Sequence, residues 1–297
     1  MSEAPVLVLT EPQWQARQTA HEQRVDEWIS PHLERRSRGV SHPVEDFLFS
    51  YYSYRPASLR RWHPGLGVEL TGDVSVFDGR SGYEVSTSGA RIDSGLVRQR
   101  HGAVQWIRDL VASTASRPAV FGCFGLHEWA MVYRQSAEDR RHASYPLRLG
   151  HERTDEVVES SRITCSHYDA YRFFTPPARP LNLLAPTRER QPELDQPGCL
   201  HAAMDCYKWA YKLAPLTSSE LVADCFALAR EVRQVDMRAA PYDLRRLGVE
   251  PIPIETVAGK AAYVEHQRDF AERSNVLRER LLAVCDAALA GVESAAS

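Results

Sequence analysis

Four stretches of the chain hold most of its reactive side chains. Phe121–Arg134 packs Cys123, His127, Glu128, Trp129 and Arg134 among apolar neighbours and two glycines. His42–Arg61, Cys165–Phe174 and Gln196–Lys212 have the same mixed character. We expect the four to meet in one buried site. Imidazole and carboxylate together suit zinc, iron or manganese, so a divalent metal is the expected cofactor. His127, His167, Asp169 and His201 are its expected ligands, with His42, Glu45 and His63 as alternatives. His167-Tyr168-Asp169 is an H-x-D pattern, whose two ligands share one face of an extended segment; His201 would complete a facial triad. Acid–base or nucleophilic work falls to Glu128, Asp205, Lys208 and Cys123. A lysine beside an aspartate in an apolar setting has a shifted pKa. Tyr51, Tyr52, Trp62 and Trp129 offer flat surfaces for a substrate, and Arg61 and Arg172 offer donors.

Each group also has a plainer reading. The 42–61 stretch is equally a capped helix with an aromatic core face and solvated arginines. His201, Asp205, Lys208 and Lys212 stand at i, i+4, i+7 and i+11, a spacing that makes one polar helical stripe. Such a stripe is also what a solvated face looks like.

The elements that must carry these residues are mostly helical. Thr10, Pro12 and Gln13 predict a capped start for a polar N-terminal helix that fills 1–40 from about residue 11. Ser41 and Pro43 predict a second helix start. Residues 66–90 mix glycine with β-branched residues and predict short strands or a hairpin. Helical spacing returns over 92–113. A helix follows Pro197-Gly198 and stops at Pro215. Thr217-Ser218-Ser219-Glu220 is a capping box before a helix through Arg233, and a polar loop is expected over 236–244. A last long helix runs to about 290, which makes 195–290 a helical C-terminal part. The expected fold class is mainly α (α+β), a single helical domain over 1–297 with a small β insert.

The 297 residues are 43% hydrophobic and 25% charged, an ordinary globular composition. A net charge of -3 does not indicate a strongly basic nucleic-acid binder. No apolar run approaches the ~20 residues of a membrane span, and the first residues lack a signal peptide's pattern. We therefore expect a cytoplasmic protein with no membrane partner. The six cysteines contain no C-x-x-C pair and read as free thiols.

The runs HPVEDFLFSYYSYRP, LRRWHPG, FGCFGLHEWAMVYR, PLRLG, CSHYDAYRFFT, QPGCLHAAMDCYKWAYKL and DMRAAPYDL span most of the chain. Together they resemble an actinobacterial family whose members carry the name 3-methyladenine DNA glycosylase. That resemblance implies excision of alkylated bases, with DNA as partner and Asp205 or Asp224 as the catalytic aspartate. An extruded base would stack among Tyr51, Tyr52, Trp62 and Trp129. Arg55, Arg60, Arg61, Arg140 and Arg141 would hold phosphates. The residues themselves favour a metal-dependent enzyme acting on a small or nucleobase-like molecule. A glycosylase stands second and a non-enzymatic binding protein third.

Overall fold

The computed structural model describes residues 6–136 and 144–296; Arg140 and Arg141 lie outside them. The elements run β1 (Leu7–Leu9), α1 (Glu11–Ser37), α2 (Phe47–Tyr51), α3 (Pro56–Arg60), β2 (Val68–Leu70), β3 (Tyr83–Ser86), β4 (Gly89–Ile92) and α4 (Ser94–Ser116). Then come α5 (Leu126–Ala130), α6 (Gly150–Ser160), α7 (Tyr168–Tyr171), α8 (Gln191–Leu194), α9 (Leu200–Leu213), α10 (Ser219–Ala239) and α11 (Val257–Ala296). The fold is mainly α with one small sheet, as the patterning predicts.

By internal packing the described chain forms two compact units. The first holds 6–111, 206–227 and 277–296; the second holds 112–136, 144–205 and 228–276. The unit boundaries fall inside α4, α9, α10 and α11.

In the first unit the sheet order is β1-β2-β4-β3. β3 and β4 form the expected hairpin, with Tyr83 opposite Ile92 and Ser86 opposite Gly89. β2 pairs antiparallel with β4, and β1 adds to β2 in parallel with Leu7 opposite Val68. Strand β1 is a departure from the sequence reading: three apolar residues before a helix cap carry no strand signal of their own until β2 pairs with them. Leu9, Trp14, Trp62, Leu70, Phe77 and Ala90 make the core at this sheet. Helix α1 starts where the pattern puts it. Gln13 Oε1 accepts from the Thr10 backbone N–H at 2.9 Å and from its hydroxyl at 3.0 Å. Tyr52, Tyr54, Tyr207 and Tyr211 pack ring against ring, with Tyr54 stacked on Tyr211 at 4.7 Å.

In the second unit the elements are shorter, and loops carry much of the chain from 117 to 199. Asn182 holds one loop in place: its Oδ1 accepts from Cys165 N–H at 2.8 Å, and its Nδ2 donates to Cys165 O at 2.9 Å. Helix α10 runs past the predicted stop at Arg233 to Ala239. The true stop signal is Pro241, which bars helix from the residue before it.

Candidate metal centre

His127, His201 and Asp236 form a buried group within the second unit whose ligand atoms all lie within 4.8 Å of one another. Their exposures are 3%, 6% and 0%. Each comes from a different element. His127 sits in the five-residue α5, entered through Phe124 at φ 48 and Gly125 at φ 72. Gly125 is needed twice over. Its φ is left-handed, and a Cβ there would lie 3.2 Å from Ala239 Cβ and 3.3 Å from the Tyr263 hydroxyl. His201 opens α9, and Asp236 lies in the last turn of α10.

The geometry within the group is compatible with co-ligands. His127 Nε2 and Asp236 Oδ1 are 3.0 Å apart, an ion pair when the imidazole is protonated. Two atoms bound to one ion at first-row distances stand about 3.0–3.4 Å apart, and they point at the ion rather than at each other. The His127 and His201 rings meet edge to face at 4.4 Å. Asp236 Oδ2 is already engaged: Arg233 Nη1 donates to it at 2.9 Å and to Glu128 Oε1 at 2.9 Å. That leaves Oδ1 for a metal and fixes the carboxylate's orientation, as an outer partner does for a ligand.

Electrostatics favour a cation here. Two buried carboxylates, Glu128 and Asp236, share one guanidinium. Burial alone would lower the His127 pKa, but the charge of Asp236, its hydrogen bond to the ring and the charge of Glu128 outweigh it and raise it. Burial works to raise Asp236, and His127, His201 and Arg233 together hold it below the usual carboxylate range. Burial and then His127 pull His201 well below its ordinary value, so it stays neutral and fit to bind a metal.

A second pair flanks the group. His167 Nε2 pairs with Asp205 Oδ2 at 3.3 Å, and the His167 ring stacks on His201 at 5.3 Å. His127 and His201 border a recess that Cys123, Thr164, Cys165 and Cys199 also line. Its cavity volume of about 10 Å³ holds one ion or one water-sized body. Burial pushes the Cys123 thiol up to about 11 and Cys165 up to about 12. These thiols are protonated at neutral pH and are not activated nucleophiles.

The other sequence candidates fall as follows. Asp169 does not share a face with His167. His167 is extended at φ -93, but helix α7 begins at Tyr168 and takes Asp169 with it. Asp169 pairs with Arg172 at 3.3 Å, and Arg172 lies over the Phe173 ring. Trp129 is fully buried, and its indole donates to Ala239 O at 2.8 Å. Tyr51, Tyr52, Arg61, Trp62, His42, Glu45, His63 and Lys208 belong to the first unit. There His42 Nδ1 accepts from the Val44 and Glu45 N–H groups, a local cap. Trp62 is 2% exposed, and its indole donates to Glu220 at 3.1 Å. His63 Nδ1 is 2.8 Å from the Tyr83 hydroxyl. Lys208 holds its ammonium over Trp209 at 4.7 Å.

Sequence reasoning missed Asp236 as a candidate ligand and Arg233 as its partner. The signal was present as an Arg-x-x-Asp spacing, which puts both on one face once α10 is allowed to run on to 239. Comparison of the sequence with family models, with curated proteins and with solved structures finds no match in any of the three.

Proposed function

We propose that this chain is a metal-dependent enzyme in which His127, His201 and Asp236 hold one divalent ion, with zinc preferred. The observation that carries the reading is the convergence of His127, His201 and Asp236, all buried, with their ligand atoms within 4.8 Å of one another. Two imidazoles and a carboxylate suit zinc with a position left open. Zinc has no redox cycle, so the reading needs no electron donor or acceptor. When bound, the ion supplies Lewis acidity and lowers the pKa of a bound water. The chain's own residues do the rest. Arg233 holds Asp236 in register, and the His167–Asp205 pair beside His201 takes the proton from the attacking water and returns it to the leaving group. The reaction class is hydrolytic, on a small or nucleobase-like molecule.

Metal analysis of chelator-free protein tests the reading. We expect close to one zinc per chain in the wild type and background levels in His201→Ala and Asp236→Asn. Background metal in the folded wild type would sink it. His167→Ala should keep the metal and lose activity. Base excision, the activity that the glycosylase resemblance implies, is assayed with the same variants on alkylated DNA. Excision that survives removal of the metal would favour the glycosylase reading instead.

A further inference from the structure

A second cavity in the same unit adjoins the recess through the chain. It is a groove of about 370 Å³, a size ordinary for small-molecule sites. Phe121 and Pro197 line it, while their sequence neighbours Val120 and Gln196 line the metal recess. The two segments are clasped together. Gln196 Oε1 accepts from Val120 N–H at 2.8 Å, and its Nε2 donates to Val120 O at 3.1 Å.

The groove's chemistry is specific. Arg117 and Arg268 line it, against one carboxylate, Glu272. Neither arginine makes an ion pair among the described residues. Arg117 is locked in place instead by carbonyl oxygens: Nη2 donates to Pro192 O at 2.6 Å, and Nη1 to Asp195 O at 3.0 Å and Ser113 O at 3.2 Å. Carbonyls orient a guanidinium but do not cancel its charge. Arg268 is exposed, 5.7 Å from the centre of the half-buried Phe121 ring. One held guanidinium and one exposed guanidinium beside an aromatic face recognise a flat molecule that carries an anion.

The geometry points to this groove as a binding site for a small aromatic anion, a carboxylate or a nucleoside monophosphate, with its ring against Phe121 and its charge at Arg268 and Arg117. As a substrate site it rests on the metal-centre reading; as a binding site it stands alone, because its occupation is measured without metal. Calorimetric titration of the full chain with benzoate, with adenosine monophosphate and with inorganic phosphate tests it. We expect at least one of the two aromatic anions to bind at roughly millimolar Kd or tighter. Arg268→Glu should weaken that binding about tenfold or more, and Arg268→Gln less. Neither substitution should change the metal content. If benzoate wins, the anion is a carboxylate; if the nucleotide wins, a phosphate. Both outcomes support the site. The inference is overturned if neither aromatic anion binds, if Arg268→Glu binds as the wild type does, or if inorganic phosphate binds as tightly as the nucleotide. Protein that binds through Arg268 but takes up no added zinc would support the groove and remove the metal centre.

Discussion

Asp236 divides its two oxygens between Arg233 and the point that His127 also faces. Replacing it with Asn keeps the shape but removes the charge that ties the group together. We expect Asp236→Asn to lower metal affinity by at least a hundredfold, read by competition with a chromophoric chelator. Glu128→Gln, one step removed through Arg233, should cost about tenfold or more. Acid should also weaken the metal, because His127 holds its proton above the usual histidine range and must release it to bind. His63 tests the same physics in the first unit. Burial, then Arg61, Arg80 and His21, lower its pKa from 6.5 to about 4. The folded state therefore keeps it neutral, while the unfolded chain takes up a proton below 6.5. Stability is full above that pH and falls as pH drops toward 4, by up to about 3 kcal/mol at the limit. Urea melts between pH 7 and 4 should show a shallower acid loss in His63→Gln; an unchanged slope would refute the assignment.

At the scale of elements, short range signals were readable and long range ones were not. Thr10, Pro12 and Gln13 place the start of α1, and Gln13→Ala should cost about 0.5–1 kcal/mol in a denaturant melt. The 66–90 hairpin was readable from glycine and β-branched residues. Strand β1 was not, since a three-residue strand exists only through its partner. His127 and His201 were legible as candidate ligands because histidine in apolar runs is conspicuous. Asp236 was not, because an aspartate near a helix end looks like a surface polar group until its partners arrive from residues 127 and 201. H-x-D misled for the same reason: spacing suggests a shared face only if the backbone stays extended, and a helix starts at Tyr168. Gly198 shows how tightly the recess wall is built. A Cβ there would lie 2.5 Å from Val120 O, a backbone atom that cannot swing away. Gly198→Ala should destabilise the chain by about 1–3 kcal/mol and disturb the Gln196 clasp, seen as weaker metal binding alongside a lower urea midpoint.

At the scale of the molecule, all three proposed ligands and the pair beside them fall in one compact unit, drawn from segments 127, 167, 201–205 and 233–236. These segments are far apart in sequence and two of their helices are short, five residues in α5 and four in α7. An ion joining His127, His201 and Asp236 would bind the folded state and not the unfolded chain, so it should act as a stabilising ligand. At a hundredfold excess over Kd the gain is about 2.7 kcal/mol, which for a chain of this size is a rise in Tm of roughly 4 °C. The rise should be absent in Asp236→Asn. Hydrogen exchange locates it: added zinc should slow exchange around 123–130, 165–168, 199–205 and 233–239, and leave the β1-β2-β4-β3 sheet unchanged. Zinc protection confined to the exposed chain ends, or equal protection in Asp236→Asn, would mean that the ion binds elsewhere. The distinction is sharp because a ligand joining separate segments must slow the opening of each, whereas a surface ion slows only its own neighbourhood.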